Sequence, residues 1–571
     1  MKLPFWAMAA NAVSGLLEGT DSKFSNTAQK AIKTQKLNYS SDEIYDNGVA
    51  LTPPMGWSSW NLFRNKINEN LIYETALAMK NSGLADCGYV YVNLDDCWMS
   101  SMRDENGKLQ SDFVTFPSGI KSLADKVNAL GMKLGIYSSN GTLTCEDLPA
   151  SLGKEAIDAD TFAEWGIEYF KYDFGHNVPI PSKTPSFEKI TVSKIGSGDA
   201  LEFLATDAVL HGDAKVIDDS KLETGKCITG LSYNAGACEF PNVEVDSDGV
   251  YILTICYRKK TGGEKYCELT VNGNDVYKIE FPSTKTFTPD ARLQLKINLK
   301  AGNNTLYFCN PVASKADSAA MQFSLMGKEL KRATKEYAEK NGVPEKPIVY
   351  SICEWGANIP WKWGRSAGNL WRTTGDIMPV WASVVGIYEF NVLLSDYAGA
   401  GGWNDPDMLE VGNGKFTDEE NKSHFSLWCM MAAPLILGND IRKFIKADGS
   451  VDTENETYKI LTNKDMIAVD QDSLGIQCKR IRTNGAEDIL VKPLENDEVA
   501  LCFFNKAGTE TKMSCRMNDI VCSTFVATPI ADLYQVRDLW TGAEFYVSEN
   551  IEANVPAHGV KVYRIKVKQD D

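Results

Sequence analysis

Short apolar runs that end in polar or aromatic residues recur along the chain, four between residues 49 and 180 and four between 347 and 440. Helix-like stretches separate the runs of the first group. This alternation predicts βα units on a parallel sheet, and eight units predict a (β/α)8 TIM barrel with its chemistry at the C-terminal strand ends. The run ends are PMGWSSWN (54–61), YVYVNLDD (89–96), KLGIYSSN (133–140), YFKYDF (169–174), PIVYSICEW (347–355), NLWRTTGD (369–376), AGGWNDPD (400–407) and APLILGND (433–440).

The pattern changes between the fourth and fifth units. Three prolines between residues 179 and 185 mark a linker. Apolar and polar residues then alternate at period two, and Asn272-Gly273 is a hairpin-turn signal. This predicts an antiparallel β-sandwich inserted over 186–316. The chain returns to the barrel through a helix predicted over 319–341.

Past residue 472 the pattern is again that of short strands and turns, which predicts a small C-terminal antiparallel β-sandwich. The insert therefore follows the fourth barrel strand, on the rim that carries the chemistry. The predicted domains are an N-terminal extension (1–48), the first half of the barrel (49–185), the inserted sandwich (186–316), the second half of the barrel (317–472) and the C-terminal sandwich (473–571).

Composition narrows the classes of function. A length of 571 residues with 43% hydrophobic and 24% charged residues is typical of a folded protein of several domains. A net charge of −17 argues against nucleic acid or an anionic membrane as the main partner. No apolar run reaches the roughly 18–20 residues that span a bilayer. The 4 histidines lie far apart, so we expect neither a metal site nor a cofactor.

The first residues, MKLPFWAMAANAVSGLLEG, have some features of a signal peptide. They include one lysine, an apolar stretch and small residues. However, Pro4 comes early, and Asn11 and Ser14 interrupt the apolar run. Export and retention in the cell both stay open on this segment alone.

Charged and aromatic side chains concentrate at the predicted strand ends. Lys171 and Asp173 lie two residues apart in one strand and so share a face. Carboxylates bind hydroxyl groups and tryptophan faces stack on sugar C–H surfaces, so the mixture favours a carbohydrate ligand. The candidates are Asp95, Asp96, Lys171, Asp173, Glu354, Arg372, Asp376, Asp405 and Asp407, with the aromatic residues Trp57, Trp60, Tyr137, Trp355 and Trp403.

The order and content of the strand ends resemble glycoside hydrolase family 27, the α-galactosidase family. The resemblance covers 49–475 apart from the insert. It implies a retaining exo-glycosidase that removes terminal α-D-galactosyl residues from oligosaccharides or glycoconjugates by a two-carboxylate double displacement. The matching segments are PPMGWSSWN (from 53), NLDDCW (93), LGIYS (134), FKYDF (170), CEWG (353), WRTTGDI (371), GGWNDPDML (401) and APLILGND (433).

The resemblance assigns roles to individual residues. Asp173 matches the nucleophile and Asp376 matches the general acid and base. Lys171 is expected to favour the ionised form of Asp173 and to bind sugar hydroxyls. The other substrate-binding residues that it implies are Asp95 and Asp96 (O4 and O6 of galactose), Trp60 (near C6), Tyr137 and Cys145 (pocket lining), Cys353, Glu354 and Trp355 (near O2), and Arg372 and Asp407 (near O2 and the acid/base).

Three alternatives remain. A β-L-arabinopyranosidase would act on a sugar shaped like galactose without its hydroxymethyl group, but the intact Asp95-Asp96 pair favours galactose. An α-N-acetylgalactosaminidase needs room for an acetamido group, and Glu354-Trp355 leaves little. A non-catalytic sugar-binding protein is the alternative from another class, although both catalytic carboxylates are present.

The cysteines depart from the family pattern. The segment after the nucleophile is Phe174-Gly175-His176, where many members carry a cysteine that pairs with the one matching Cys145. Cys97 and Cys353 have also lost their usual partners. Fourteen cysteines without these pairings favour a reducing compartment. We therefore expect a cytoplasmic enzyme, with secretion as the alternative, and a homo-oligomer is compatible with the sequence.

The inserted sandwich resembles, more weakly, the carbohydrate-binding modules of family 35. The stretches that carry this resemblance are 230–259, 269–273 and 299–308. A lectin role and a spacer role for the insert are both open.

Overall fold

The computed structural model describes residues 30–39, 41, 43–259, 263, 265–282, 288–522 and 528–568. The stretch considered above as a signal peptide lies outside these residues. The first half of the barrel alternates strands and helices as expected. Its elements are β1 (Met55–Ser58), α1 (Trp60–Phe63), α2 (Glu69–Asn81), β2 (Tyr91–Asn93), α3 (Ile120–Ala129), β3 (Lys133–Ser139), α4 (Glu155–Trp165) and β4 (Tyr169–Asp173).

The insert forms two antiparallel sheets around one apolar core that includes Phe187, Phe240 and Phe308. The hairpin at Asn272-Gly273 is present, with both residues at positive φ. The compact unit comprises 36–40 and 179–321. Its strands are β5 (Ser186–Lys194), β6 (Ala200–Leu204), β7 (Val209–Gly212), β8 (Lys215–Asp218), β9 (Lys226–Thr229), β10 (Gly236–Val245), β11 (Gly249–Lys259), β12 (Lys265–Val271), β13 (Asp275–Phe281), β14 (Thr288–Leu299) and β15 (Gly302–Cys309).

The second half of the barrel opens with a long helix that begins four residues before the predicted start. Asp317 accepts a hydrogen bond from the Ser314 hydroxyl at 2.7 Å, and this pair caps the first turn. The elements are α5 (Lys315–Asn341), β16 (Val349–Ile352), α6 (Gly364–Ala367), β17 (Leu370–Arg372), α7 (Trp381–Asn391), β18 (Trp403–Asp405), α8 (Asp418–Met430), β19 (Leu435–Leu437), α9 (Glu456–Leu461) and α10 (Lys464–Asp470).

The eight barrel strands are parallel and run in the order β1-β2-β3-β4-β16-β17-β18, with β19 on the other side of β1. Leu409 joins the two ends of this sheet. Its N–H donates to the Ile436 carbonyl at 2.8 Å, and its carbonyl accepts from the Gly438 N–H at 3.1 Å. The sheet is therefore a closed (β/α)8 barrel, and its C-terminal strand ends meet at one rim.

The C-terminal domain is an antiparallel β-sandwich, as the sequence predicts. Six strands form one sheet and two form the other. No helix among the described residues combines the length and the apolar character needed to cross a bilayer. The elements are β20 (Lys479–Thr483), β21 (Glu487–Pro493), β22 (Val499–Asn505), β23 (Thr511–Arg516), α11 (Met517–Val521), β24 (Tyr534–Asp538), β25 (Glu544–Val547), β26 (Asn550–Val555) and β27 (Val560–Val567).

Candidate active site

A pocket opens at the rim formed by the C-terminal strand ends. Ten of the thirteen residues to which the family resemblance assigns roles line it: Trp60, Asp95, Tyr137, Cys145, Lys171, Asp173, Trp355, Arg372, Asp376 and Asp407. Four lining residues were not predicted: Asn61, Arg64, Ile377 and Met408. The remaining predicted residues, Asp96, Cys353 and Glu354, lie behind the wall. The barrel thus brings together residues of β3, β4 and β17 with residues from the segments that follow β1, β2, β3, β16, β17 and β18.

Asp173 ends β4 and is buried with its carboxylate held from three sides. The Tyr137 hydroxyl donates to Oδ2 at 2.8 Å, and the Phe174 N–H donates to Oδ1 at 2.8 Å. The Cys145 Sγ lies 3.6 Å from Oδ2. Burial raises the pKa of Asp173, while the Lys171 ammonium and these donors oppose the rise. The carboxylate is therefore fixed in one orientation facing the pocket.

Lys171 makes its direct ion pair with Asp95 and not with Asp173. The Nζ–Oδ2 distance is 2.8 Å, and the ammonium also lies 5.3 Å from the centroid of the Tyr137 ring. Burial alone would lower the pKa of Lys171, but Asp95 and other neighbouring acidic groups hold that pKa well above its usual value. Lys171 therefore stays charged and acts on Asp173 through its field.

Asp96 lies beneath the pocket wall. Its carboxylate accepts hydrogen bonds from the Cys97 N–H at 2.7 Å and the Glu146 N–H at 3.1 Å. Burial raises its pKa to about 6. These contacts hold the loop that follows β3 against the loop that follows β2. Asp95 therefore lines the pocket, whereas Asp96 supports the loops behind it.

Arg372 joins two carboxylates on the opposite side of the pocket. Its Nη2 lies 3.0 Å from Asp376 Oδ1 and 3.0 Å from Asp407 Oδ2. Burial works to raise the pKa of Asp376, but Arg372 and Lys171 lower it below its ordinary value. Burial raises the pKa of Asp407 despite the same guanidinium. The Asp376 side chain is 67% exposed, whereas Arg372 and Asp407 are buried.

Asp407 also organises the backbone around Asp376. It accepts from the Ile377 N–H at 2.8 Å and from the Met408 N–H at 2.8 Å. Its own φ is 78°, in the left-handed region that a non-glycine residue seldom adopts. Strain of this kind persists only where surrounding contacts hold it, and it concentrates at functional sites. Asp407 therefore fixes the loop that carries Asp376.

Cys353 and Glu354 do not line the pocket. The Cys353 Sγ lies 3.5 Å from Arg372 Nη1. Glu354 is fully buried, and its Oε2 accepts from the Asn358 N–H at 2.9 Å. Burial raises the pKa of Glu354 well above its usual range. The Glu354 carboxylate therefore faces the loop after β16 and not the pocket. Its neighbour Trp355 lines the pocket instead.

The four unpredicted lining residues follow predicted ones in the sequence. Ile377 and Met408 come directly after Asp376 and Asp407. Asn61 and Arg64 lie in and after the short helix α1, which starts at Trp60. Adjacency to a predicted site residue is therefore the sequence signal that could have found Asn61, Ile377 and Met408, whereas Arg64 lies four residues after Trp60 and carries no such signal.

The thiols near the pocket are unpaired, as are all fourteen cysteines of the chain. A Cβ atom added at Gly175 would lie 2.6 Å from the Cys145 Sγ. The glycine thus occupies the place from which a second cysteine would reach Cys145, in line with the departure noted in the sequence. Within the described residues, no three or more histidine, cysteine, aspartate or glutamate side chains form a group that could hold a metal ion.

Comparison with known proteins gives consistent matches. The sequence profile described as "Alpha galactosidase A" matches residues 52–198 and 322–472, and the profile "Alpha galactosidase C-terminal beta sandwich domain" matches 484–565. Neither match covers 199–321, so the resemblance of the insert to a carbohydrate-binding module stays a prediction.

Individual relatives span most of the chain. "Alpha-galactosidase 3" of Arabidopsis thaliana is 32% identical over 91% of this chain and 82% of its own length. "Alpha-galactosidase" of Cyamopsis tetragonoloba is 32% identical over 91% and 87%. The crystal structure of alpha-galactosidase I from Mortierella vinacea superposes with a TM-score of 0.62 at 28% identity, covering 92% of this chain and 100% of that one.

Proposed function

The chain belongs to the alpha-galactosidase family of glycoside hydrolases, and we propose that it hydrolyses terminal α-D-galactosides with retention, using Asp173 as nucleophile and Asp376 as acid and base. The observation that carries this proposal is that the two carboxylates line one pocket in different environments. Asp173 is buried and held by donors, while Asp376 is exposed at the mouth. A two-step displacement uses one carboxylate as the nucleophile and a second carboxyl group as the proton donor and then acceptor, and these two environments suit those roles.

In the first step the Asp173 carboxylate attacks the anomeric carbon. The C–O bond to the leaving group breaks as Asp376 donates its proton to the leaving oxygen, and a covalent galactosyl ester forms. Asp376 is ionised more readily than usual in the empty pocket because Arg372 lies beside it. A leaving group that fills the mouth removes water from Asp376, and loss of water raises the pKa of a carboxyl group.

In the second step a water molecule attacks the same carbon and releases galactose. Asp376 accepts a proton from that water, and the Asp173 carboxylate leaves. Asp173 has lost its negative charge in the ester. That charge otherwise raises the pKa of nearby acids, so its loss favours the ionised, basic form of Asp376. The alternation of acid and base roles thus follows from the charge on Asp173.

The intact Asp95 supports galactose over the two related sugars. Its carboxylate is buried and paired to Lys171, and its backbone N–H donates to the Ser59 hydroxyl oxygen at 3.0 Å. A fixed carboxylate is a strong acceptor for sugar hydroxyls. Trp355 lines the pocket, and the family resemblance places it near O2, where the acetamido group of α-N-acetylgalactosamine would need room.

A substrate panel with the purified protein tests the proposal. Sugar release would be measured from the nitrophenyl glycosides of α-D-galactose, β-L-arabinopyranose and α-N-acetylgalactosamine, and proton NMR would identify the first anomer formed. We expect the α-galactoside to be preferred and α-galactose to form first. Preference for either other sugar overturns the substrate, and β-galactose as first product overturns retention. No release from any glycoside would favour a sugar-binding protein.

The cysteine pattern also supports a cytoplasmic location, because unpaired thiols are typical of reducing compartments. Fractionation of the source cells tests this part of the proposal separately. Recovery of the activity outside the cell would contradict it.

A further inference from the structure

One cation of the pocket, Arg64, has no ion-pair partner among the residues that the structure describes. Arg64 lines the pocket and is exposed. Its guanidinium carbon lies 5.1 Å from the centroid of the half-buried Trp60 ring. In the part of the chain that the structure describes, no carboxylate oxygen lies within ion-pair distance of Arg64, whereas Lys171 and Arg372 are both paired.

The neighbouring acid that could have paired with Arg64 is engaged elsewhere. Glu410 is buried behind this wall. Its two carboxylate oxygens accept from the Asn61 amide at 2.8 Å and the Asn413 amide at 2.6 Å. Arg64 directly follows the last residue of α1, and its φ of 52° is one that non-glycine residues seldom adopt. The guanidinium is thus left available at the mouth.

Burial divides the pocket into a floor and a mouth. Asp95, Asp173 and Arg372 on the floor are buried. Asp376 and Arg64 at the mouth are exposed. In the proposed reaction Asp376 protonates the leaving oxygen, so the exposed side of the pocket receives the leaving group and the floor receives galactose.

The pocket lining contains both acids and cations, and the cations differ in whether an acid of the protein holds them. With Asp376 protonated for its acid step, the charged lining residues are Asp95, Asp173 and Asp407 on one side and Lys171, Arg372 and Arg64 on the other. Galactose is neutral. Lys171 and Arg372 are held by acids of the protein, whereas Arg64 has no ion-pair partner among the described residues, so its guanidinium is available to the leaving group. A planar guanidinium with several donors matches an oxyanion such as a carboxylate or phosphate.

We infer that Arg64 forms a leaving-group subsite that selects galactosides carrying an anionic group on the aglycone. This inference rests on the proposed function and adds the chemistry of the aglycone to it. The ring of Trp60 supports the guanidinium from one side, and Arg64 contributes the charge-assisted hydrogen bonds to the leaving group.

The test compares two leaving groups of the same size. The probes are 4-carboxyphenyl α-galactoside, which is anionic, and 4-carbamoylphenyl α-galactoside, which is neutral. The quantity measured is the ratio of kcat/KM for the acid to kcat/KM for the amide. We expect Arg64→Gln to lower this ratio about tenfold, the usual worth of a hydrogen bond to a charged group. Raising the ionic strength should lower the ratio of the wild type as well.

Lys66→Gln is the matched control, since it removes one exposed positive charge two residues away and outside the pocket lining. Its ratio should stay within twofold of the wild type. An unchanged ratio in Arg64→Gln, or an equal change in both variants, overturns the inference.

Failure of the proposed function has a separate signature. If the wild type releases galactose from neither probe, binding of both probes by calorimetry still tests Arg64. Selective weakening of acid binding by Arg64→Gln then supports the inference. Equal binding of the acid by the variant and the wild type overturns it.

Discussion

The pocket and the contact between α7 and the C-terminal sandwich each gather buried cations and carboxylates. In the contact, Lys506 Nζ lies 2.6 Å from Glu389 Oε1 and 2.9 Å from Asp488 Oδ2. Arg480 Nη1 reaches the same two acids at 2.5 and 3.1 Å. The Tyr388 hydroxyl donates to Asp488 at 2.8 Å. This group of five side chains is called the interface cluster below.

The two sites differ in whether each charged side chain has an ion-pair partner within the protein and is shielded from solvent. Each cation of the interface cluster contacts both acids, and the Asp488 side chain is 0% exposed. In the pocket, Asp376 is 67% exposed and Arg64 has no ion-pair partner among the described residues. A closed network fixes one arrangement, whereas an open one leaves groups free for a substrate. The same residue types thus serve stability in one place and chemistry in the other.

The pKa shifts differ in the same way. Burial works to raise the pKa of Asp488, but Lys506 and Arg480 lower it below its usual value. Burial prevails for Asp173 and Asp407, whose pKa values are raised. The interface cluster therefore favours the ionised form of its acid, and the pocket keeps two of its acids closer to neutrality.

The largest expected effect is on activity when the nucleophile is removed. Asp173→Ala should lower kcat on nitrophenyl α-galactoside by about 10⁴-fold or more, because no other carboxylate replaces it. Added azide should restore turnover and give β-galactosyl azide, as the small anion enters from the vacated side. Asp125→Ala, on the exposed face of α3, is the control and should keep its activity. Retained turnover in Asp173→Ala without azide would refute the role.

Removal of the acid and base should have a smaller effect that depends on the leaving group. Asp376→Ala should lower kcat/KM on methyl α-galactoside by about 10²–10⁴-fold, because the leaving group of this substrate needs a proton. The loss should be much smaller on dinitrophenyl α-galactoside. Azide should here give α-galactosyl azide, because Asp173 still forms the ester. An equal loss on both substrates would contradict the assignment.

Removal of the acid from the interface cluster should affect stability instead. Asp488→Ala leaves two buried cations with one acid and should lower the free energy of unfolding by about 3–5 kcal/mol. Asp396→Ala is the matched control, since its ion pair with Lys479 joins the same two regions but is half exposed. It should cost about 1 kcal/mol or less. Denaturant unfolding measures the free energy of unfolding of both variants. Similar decreases in the two would show that burial of the ion pair does not determine how much it contributes to stability.

Sequence patterns locate the barrel and much of the pocket because both depend on local signals. Each barrel strand is a short apolar run. The two catalytic side chains lie at or just after the end of such a run: Asp173 is the last residue of β4, and Asp376 follows β17 by four residues. The capped start of α5 carries a similar local signal in Ser314 and Asp317, which the apolar periodicity of the helix did not use.

Other features depend on contacts that no local pattern contains. Glu354 follows β16 as expected, yet Asn358 holds its carboxylate away from the pocket. Arg64 enters the lining because α1 ends early with a positive φ and Glu410 is already engaged by Asn61. The interface cluster joins residues about 100 positions apart, such as Tyr388 and Asp488, so only the packed fold identifies it.

The smallest expected effect is a difference in pH dependence between the two sites. Burial raises the pKa of Glu410 from its ordinary value near 4.5 to about 7. The wild type should therefore lose stability as pH rises from about 4.5 to 7, because the folded state binds the proton more tightly. This loss is at most about 3 kcal/mol. Glu410→Gln removes the titration, so its Tm relative to the wild type should rise between pH 5 and pH 8.

Asp488→Asn should show the opposite sign. The lowered pKa of Asp488 gives stability that is present above the ordinary pKa of aspartate and is lost as pH falls through the folded value. The difference in stability between the wild type and Asp488→Asn should therefore be largest near pH 7 and should decrease below about pH 4. Thermal melts of both variants and the wild type across this range measure the two trends. If the Tm difference from the wild type changes with pH in the same direction for both variants, the pKa values of Glu410 and Asp488 are not shifted in opposite directions, and this prediction is wrong.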